Sequence, residues 1–351
     1  MKKFNLDLLI RENIRRMKPY ASARSEFDGM ANVFLDANEN SLGSASNKLY
    51  NRYPDPLQKK LRQKIAVLKS LDPSQIFLGN GSDEPIDLLI RTCCDPGQHN
   101  ILIMPPTYGM YEVAAAINNV QICKVPLTTS FEIDTKKVLD SVDEQTRIIF
   151  ICSPNNPTGN LMDRKSVKEI LNAFSGLVVV DEAYIDFSSG NSFLPALKDF
   201  PNLIVLQTFS KAWGLAALRL GMALASEEII NLLNKIKPPY NINNATAELV
   251  CDALDDRLFI NKSVSLIIIE RSRLTRLLSA LDEVEKIFES DANFLLVKVK
   301  QADALYQYLI GLGIIVRNRN NELHCSGCLR ITVGTAEEND QLINAIKKFK
   351  S

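Results

Sequence analysis

The stretch Leu203-Ile204-Val205-Leu206-Gln207-Thr208-Phe209-Ser210-Lys211 joins a run of apolar residues to a polar segment that ends in a lysine. A short apolar run of this kind is typical of a buried strand. Hydroxyl side chains stand three residues and one residue before Lys211, and Arg219 follows eight residues after it. The stretch therefore predicts a buried strand that carries a nucleophilic amine and anion-binding side chains at its carboxyl end.

Similar apolar runs recur through the middle of the chain, and amphipathic stretches separate them. The runs that predict buried strands lie at residues 76–78, 101–104, 148–151, 177–180, 203–206 and 222–225. Between two of them, residues 163–174 have apolar side chains at helical spacing behind Asp163, which is a favourable helix N-cap. Strands that alternate with such helices predict an α/β fold with a mostly parallel central sheet flanked by helices.

The pattern changes near the double proline Pro238-Pro239, which ends a helix. Beyond it come a long helical stretch and then strand and helix candidates, at residues 258–281, 294–299, 302–312 and 329–333. We therefore predict a large domain from residue 43 to 240 and a smaller α+β domain from 241 to 351. We expect an N-terminal arm, residues 1–42, to pack on the smaller domain.

Composition and charge exclude several classes of function. The chain has 41 basic and 41 acidic residues, so its formal net charge is zero. A neutral protein lacks the basic surface that binding to nucleic acid requires, and we expect no nucleic-acid partner. The N-terminus has no apolar signal core, and no apolar run is long enough to span a bilayer, so we expect a cytoplasmic protein without a membrane partner.

Histidine and cysteine usage argues against a metal site. The chain has two histidines, His99 and His324, which are too few for a histidine-based metal centre or a Ser-His-Asp triad. Cys325 and Cys328 form a single C-x-x-C pair without a second pair. We expect reduced thiols and no bound metal.

Polar clusters follow four of the predicted strands, where the loops of such a sheet converge on ligands. Besides the lysine segment, the clusters are Gly79-Asn80-Gly81-Ser82-Asp83-Glu84, Ser153-Pro154-Asn155-Asn156-Pro157-Thr158-Gly159 and Asp181-Glu182-Ala183-Tyr184. The glycines of the first cluster and the helix start behind them predict an anion site. A dinucleotide fingerprint would need a third glycine where Glu84 stands, and a Walker loop would need Gly-Lys-Ser/Thr.

The four clusters together predict pyridoxal 5'-phosphate (PLP) as the cofactor. A lysine amine condenses with an aldehyde, while hydroxyls and a guanidinium hold a phosphate. The Asn156 amide and the Tyr184 hydroxyl can hydrogen-bond a phenolic oxygen. The charge of Asp181 can keep a pyridine nitrogen protonated, which makes the ring an electron sink.

The order of these clusters, together with the stretch Pro105-Pro106-Thr107-Tyr108-Gly109-Met110-Tyr111, resembles the fold-type I PLP-dependent aminotransferases. Within that family the chain is similar to the histidinol-phosphate aminotransferases over nearly its whole length, from Lys18-Pro19-Tyr20 to Thr335. Trp213 departs from the pattern, since a smaller aromatic residue is usual there. The resemblance implies the fold-type I architecture of a large domain with a mostly parallel sheet and a smaller α+β domain.

The resemblance also implies a role for each matching side chain. Lys211 would bind the cofactor covalently and then move a proton between the substrate and the cofactor, with Asp181 as the second catalytic residue. The implied cofactor contacts are the backbone of Ser82 and Asp83 with Thr208, Ser210 and Arg219 at the phosphate, Tyr108 over the ring face, Asn156 and Tyr184 at the ring oxygen, and Asp181 at the ring nitrogen.

Further matches concern the partner subunit and the substrates. Tyr53 matches a tyrosine that reaches the cofactor phosphate of the neighbouring subunit, which implies a homodimer with shared sites. Arg330 matches the arginine that clamps the acidic group of histidinol phosphate or of glutamate, and Arg317 and Tyr20 match further contacts to that group.

The implied reaction is transamination between L-histidinol phosphate and 2-oxoglutarate, which gives imidazole-acetol phosphate and L-glutamate in histidine biosynthesis. The alternative is an aromatic amino-acid aminotransferase or an amino-acid-phosphate decarboxylase on the same fold.

Overall fold

A computed structural model describes residues 4–20, 32–188 and 190–349 of the chain. These residues form a seven-stranded sheet and a four-stranded sheet, with helices packed around both. Within the same ranges, no helix has the length and apolar character needed to cross a bilayer.

The larger sheet is mostly parallel, as predicted. Its strands are β1 (Ile76–Asn80), β2 (Asn100–Ile103), β3 (Gln121–Lys124), β4 (Thr146–Cys152), β5 (Leu177–Asp181), β6 (Leu203–Thr208) and β7 (Leu220–Leu224). They lie in the order β1-β7-β6-β5-β4-β2-β3, and only β7 runs antiparallel to its neighbours. Each predicted apolar run forms a strand. β3 lies at the sheet edge and is largely exposed, so it has no continuous apolar run that the sequence could reveal.

Eight described helices accompany this sheet along the chain: α1 (Glu12–Arg16), α2 (Lys59–Lys69), α3 (Asp83–Cys93), α4 (Met110–Ile117), α5 (Thr135–Asp140), α6 (Arg164–Ala173), α7 (Glu227–Ile236) and α8 (Asn244–Ala253). Asp163 caps α6 as expected, because its carboxylate accepts the backbone N–H of Ser166 at 2.8 Å. Lys237 follows α7, and the two prolines after it prevent the helix from continuing.

The smaller sheet is antiparallel throughout and has the order β10-β11-β9-β8. Its elements are α9 (Arg257–Ser279), β8 (Val284–Ile287), β9 (Phe294–Val299), α10 (Ala302–Gly311), β10 (Arg317–Asn318), β11 (Cys328–Thr332) and α11 (Ala336–Lys348). α9, α10 and α11 share one apolar core with β9 and β11. This unit matches the α+β domain that the sequence predicts.

Two apolar cores cover the two faces of the larger sheet. Val178 and Val180 of β5 point into one core, and Leu177 and Val179 point into the other. This alternation follows from the two-residue period of a strand. The first core continues into the smaller domain through residues such as Phe294 of β9, so the two domains meet at the face of the sheet that this core covers.

The N-terminal segment packs on the large domain, so the prediction that it packs on the smaller domain is wrong for its first part. Leu6 and Leu9 are buried in the core that also holds α3 and α7. The backbone N–H of Arg11 donates to the carbonyl of Thr92 at 2.9 Å, and its guanidinium pairs with Asp95 at 2.9 Å. Burial of Leu6 and Leu9 in this core holds the N-terminal segment on the large domain. Residues 1–3 and 21–31 of the predicted arm lie outside the described residues.

The boundary between the domains also differs from the predicted residue 241. Lys64 of α2 donates to the carbonyl of Cys251 in α8 at 2.9 Å and pairs with Asp255 at 2.7 Å. Val250 of α8 is buried in the core of the larger sheet. By these contacts α8 packs on the large domain, while α9 contributes side chains to the cores of both domains.

Candidate active site

A cavity lies at the carboxyl edge of the parallel strands and encloses about 460 Å³ of space, including its mouth. Loops that follow β1, β2, β4, β5 and β6 supply its walls. Every cofactor contact that the sequence predicts lines this cavity except Tyr53; the lining residues in question are Ser82, Asp83, Tyr108, Asn156, Asp181, Tyr184, Thr208, Ser210, Lys211 and Arg219. The fold thus brings together side chains from distant parts of the chain.

One end of the cavity, formed by Gly81, Ser82, Asp83, Ser210 and Arg219, could hold an anion, and we call it the anion cup. Gly81 has φ +70° and donates its N–H to the carbonyl of Arg219 at 2.7 Å. A Cβ on Gly81 would lie 2.7 Å from the Arg219 guanidinium and displace it, and the positive φ itself favours glycine at this position. The Arg219 guanidinium contacts Ser210 Oγ at 3.4 Å and Asp83 Oδ2 at 3.5 Å. The cup therefore presents a cation, a hydroxyl and the first turn of α3.

Asp181 ends β5 and is almost completely buried at the floor of the cavity. Its Oδ2 accepts a hydrogen bond from the Tyr111 hydroxyl at 2.8 Å, and its Oδ1 accepts one from the Ala183 N–H at 3.1 Å. Burial raises the pKa of the carboxyl to about 6, against the effect of these two hydrogen bonds. At neutral pH the site therefore holds a carboxylate that would be stabilised by a positive partner.

Glu182, the next residue, points away from the cavity. Its carboxylate accepts hydrogen bonds from Ser192 Oγ at 2.7 Å and from Gln207 Nε2 at 2.8 Å. Burial raises its pKa to about 7. Glu182 thus links the loop after β5 to β6. Its hydrogen-bond partners, Ser192 and Gln207, differ from those of Asp181, which are Tyr111 and Ala183. Among residues 4–20, 32–188 and 190–349, no three His, Cys, Asp or Glu side chains are grouped closely enough to hold a metal ion.

Lys211 stands at the mouth of the cavity, and its Nζ lies 5.5 Å from the centre of the Tyr184 ring. Burial of the amine lowers the pKa of Lys211, and the nearby Arg330 guanidinium lowers it further, while Asp181 opposes the shift. A lysine whose pKa is lowered is more often a free amine, which is the nucleophilic form.

Arg330 fixes the orientation of the Asn156 amide. Nη1 of Arg330, on β11, lies 2.5 Å from the Asn156 Oδ1. A guanidinium can only donate hydrogen bonds, so the amide oxygen must face it and the Nδ2 group is left to donate elsewhere. The contact also brings the smaller domain to the cavity, as does the edge-on packing of Phe294 against Tyr184, with ring centres 5.1 Å apart.

Tyr108 is held by the cup and by a second tyrosine. Its hydroxyl donates to Asp83 Oδ1 at 3.0 Å. Its ring meets the ring of Tyr111 edge-on, with 5.6 Å between the centres. Tyr111 in turn stacks on Phe150 of β4 at 4.7 Å. The position of Tyr108 at the wall is therefore set by contacts at both ends of its side chain.

Four predicted site residues do not line the cavity: Arg330, which reaches it only through Asn156, and Tyr53, Tyr20 and Arg317. Tyr53 is 51% exposed, lines a separate groove and stacks on Tyr240 with 4.5 Å between the ring centres. Tyr20 is 76% exposed. Arg317 is exposed and lies on β10, where it is the cross-strand neighbour of Arg330 on β11. The roles predicted for these residues, like those of the cavity residues, stay predictions.

Three further residues, Tyr111, Cys152 and Ala183, contact the site, although no role for them is predicted from the sequence. Cys152 and Ala183 line the cavity beside predicted residues. Cys152 is the cross-strand neighbour of Asp181, and Ala183 precedes Tyr184 in the chain. Tyr111 is fully buried. A buried tyrosine hydroxyl needs a hydrogen-bond partner, and the sequence signal for Tyr111 is its place three residues after Tyr108 in the stretch Pro105 to Tyr111.

Comparison with known proteins places the chain among enzymes. Residues 24–346 match the family model described as aminotransferase class I and II. A histidinol-phosphate aminotransferase of Parabacteroides distasonis is 56% identical to the chain over 97% of this chain and 98% of that protein. Among solved structures, the histidinol-phosphate aminotransferase of Clostridium acetobutylicum has a TM-score of 0.79 at 25% identity, covering 85% of this chain and 90% of that one.

A second solved structure, the histidinol-phosphate aminotransferase of Sinorhizobium meliloti in complex with pyridoxal-5'-phosphate, has a TM-score of 0.78 at 24% identity. It covers 89% of each chain and shows that the fold is shared.

Proposed function

The chain belongs to the aminotransferase class I and II family, and from this membership we propose that it exchanges an amino group between L-histidinol phosphate and 2-oxoglutarate with PLP as its cofactor. The products are imidazole-acetol phosphate and L-glutamate, in the biosynthesis of histidine. The full-length similarity to a histidinol-phosphate aminotransferase supports this reaction over the aromatic aminotransferase and decarboxylase alternatives.

One observation carries the proposal: Lys211, Asp181 and Arg219 line the same cavity from the ends of different strands. The three groups suit the three parts of PLP, which are an aldehyde, a basic ring nitrogen and a phosphate. The fit of the anion end is supported by Gly81, whose missing Cβ leaves space for the Arg219 guanidinium. When bound, PLP supplies a protonated pyridine ring that accepts electrons from the α-carbon of the substrate.

The residues of the cavity would orient this cofactor and handle one proton. Asp181, with a pKa of about 6, is ionised at neutral pH and would keep the ring nitrogen protonated. Asn156 Nδ2 and the Tyr184 hydroxyl would donate to the ring oxygen, and Tyr108 would cover the ring face. The backbone N–H groups of Ser82 and Asp83 and the side chains of Thr208, Ser210 and Arg219 would surround the phosphate. Lys211 would bind the aldehyde carbon and, once released, move the proton at the substrate α-carbon.

Arg330 would bind the acidic group of either substrate. A planar guanidinium forms paired hydrogen bonds with a phosphate or with a carboxylate, so one arginine can serve both half-reactions. Its contact with Asn156 leaves further N–H groups of the guanidinium for the substrate. Arg317, directly opposite on β10, and Tyr20 would add contacts at the same end.

We further propose that the active unit is a cytoplasmic homodimer in which Tyr53 reaches the cofactor phosphate of the neighbouring subunit. Tyr53 lines a groove separate from the cavity of its own chain, and half of the residue is exposed. An exposed, stacked aromatic side chain is a typical interface residue.

The test is to assay transamination by the purified protein with histidinol phosphate and with phenylalanine, each with 2-oxoglutarate as acceptor. We expect histidinol phosphate to be preferred in kcat/KM, because the phosphate gives Arg330 a dianionic partner. A preference of more than about a hundredfold for phenylalanine, roughly 2.7 kcal/mol, would overturn the proposed substrate.

A further inference from the structure

A lysine ammonium lies buried among four oxygen atoms, outside the cavity. Lys237, the residue after α7, is 8% exposed. Its Nζ donates to the carbonyl oxygens of Pro56 at 2.8 Å, Pro239 at 2.9 Å and Pro238 at 3.2 Å. The side-chain oxygen of Asn241 lies 3.0 Å from the same nitrogen. The amine therefore joins two loops that are far apart in the sequence.

Burying this charge costs free energy that the oxygen shell must offset. Removing an ammonium from water is unfavourable unless hydrogen-bond acceptors replace its hydration. The four oxygens around Nζ do so, much as carbonyl oxygens replace the hydration shell of an ion in a channel. Burial lowers the pKa of Lys237 to about 8, and the carboxylates of Glu84 and Asp55 oppose that shift, so the group is mainly charged at neutral pH.

The two loops that meet at this ammonium carry a stacked pair of tyrosines. Tyr53 precedes Pro56 on one loop, and Tyr240 lies between Pro239 and Asn241 on the other. Their rings are 4.5 Å apart and nearly parallel, at 16°. Holding Pro56 against Pro239 therefore also holds the two rings against each other.

The same cluster reaches the anion cup through Asn241. Its Nδ2 donates to the carbonyl of Leu78 at 2.9 Å and to Glu84 Oε2 at 3.0 Å. The Glu84 carboxylate also accepts the backbone N–H of Asn80 at 2.5 Å. Glu84, which stands where a dinucleotide site would have glycine, thus connects the cup to the Lys237 cluster. Hydrogen bonds run without a break from the loop of Tyr53 to the cup.

We propose that Lys237 is a positioning residue, an internal cation that holds the Tyr53 loop on the Tyr240 loop so that the Tyr53 ring stands where the neighbouring subunit's cofactor phosphate needs it. The proposal rests on the proposed function, which assigns Tyr53 to the neighbouring site. Lys237 itself touches neither cofactor nor substrate, so its effect must pass through Tyr53.

The first test is the rate at which the holoenzyme loses PLP to a trapping protein. Lys237→Ala is expected to lose PLP about tenfold faster than the wild type, a change of roughly 1.4 kcal/mol. Added propylammonium, which replaces the missing part of the side chain, should restore slow release, whereas neutral propanol should not. Lys235→Ala is the matched control, because Lys235 also donates to backbone carbonyls, those of Ile14 and Arg15, but lies outside the cluster. The Lys235→Ala variant should lose PLP at the wild-type rate.

Lys237→Met, which keeps an unbranched stem of nearly the same length but has no donor, is the second variant in case the alanine variant fails to fold. It should release PLP as fast as Lys237→Ala. Wild-type release rates in both variants, or a lack of response to propylammonium in the alanine variant, would overturn the proposal.

The variant Tyr53→Phe, alone and combined with Lys237→Ala, distinguishes the role of Lys237 from the role of Tyr53. If Lys237 acts through Tyr53, the double variant should release PLP no more than about twofold faster than Tyr53→Phe alone, because the two effects are not additive. Full multiplication of the two effects would show that Lys237 only stabilises the fold and would overturn its positioning role. An unchanged rate in Tyr53→Phe alone would instead contradict the proposed role of Tyr53, and the role of Lys237 with it.

Discussion

The proposed chemical role of Asp181 comes with a cost in stability. Its pKa lies near 3.8 in the unfolded chain and is raised to about 6 in the folded protein because the carboxyl is buried. Between about pH 4 and pH 6, the folded state therefore binds more protons than the unfolded state, so the free energy of unfolding falls as the pH rises through this window. A shift of about two pKa units corresponds to about 3 kcal/mol.

The variant Asp181→Asn tests this in the protein freed of cofactor. Asparagine keeps the size of the side chain and can still pair with Tyr111 and Ala183, but it carries no charge. The stability advantage of the variant should grow from near zero at pH 4 to about 3 kcal/mol at pH 7, measured by urea unfolding. Turnover of the holoenzyme should fall at the same time. A pH-independent difference would mean that the buried charge is not the cause.

At the scale of secondary-structure elements, the antiparallel strand β7 presses against the anion cup. A Cβ on Gly221 would lie 2.3 Å from the carbonyl carbon of Gly81 and 2.4 Å from the Ser82 nitrogen. These are backbone atoms, which cannot move aside without shifting β1 or the start of α3. The cup depends on this close approach of two backbone segments.

We therefore expect Gly221→Ala to lower the free energy of unfolding by about 3 kcal/mol and to speed the release of PLP. Gly311→Ala is the control, because nothing lies within 4 Å of its added Cβ. At this position near the end of α10, alanine should leave PLP release unchanged and stabilise the helix by up to about 1 kcal/mol. Thermal unfolding and release rates measure both, and equal behaviour of the two variants would contradict the close approach.

At the scale of the whole molecule, the proposed dimer makes each active site depend on two chains. A mixed dimer of one Lys211→Ala chain and one Tyr53→Phe chain tests this directly. If Tyr53 serves the neighbouring site, one of the two sites is complete, and the mixed dimer should show about half the turnover of the wild-type dimer.

If Tyr53 serves its own chain, no site in the mixed dimer is complete, and its turnover per intact lysine should equal that of the Tyr53→Phe homodimer. Differently tagged chains allow the mixed dimer to be isolated, and each homodimer is assayed as a reference. Turnover at the level of the Tyr53→Phe reference would contradict the shared site.

Much of the fold and of the site could be predicted from local patterns. Strands buried on both faces need continuous apolar runs, so β1, β2, β4, β5, β6 and β7 were visible in the sequence. The polar clusters behind them follow in chain order, and in a parallel sheet their strand ends meet at one edge. The site chemistry of Lys211, Asp181 and Asn156 could be proposed for that reason.

What the tertiary structure alone decided depends on contacts between distant residues. The antiparallel direction of β7, the burial of Leu6 and Leu9 on the large domain and the assignment of α8 to that domain follow from packing that no local pattern encodes. The same holds for the hydrogen bond from Tyr111 to Asp181, which joins residues 70 positions apart. Sequence determined which groups stand at the strand ends, because strand and loop patterns are local; the fold decided which distant groups hold them in place, because burial acts between segments that only folding brings together.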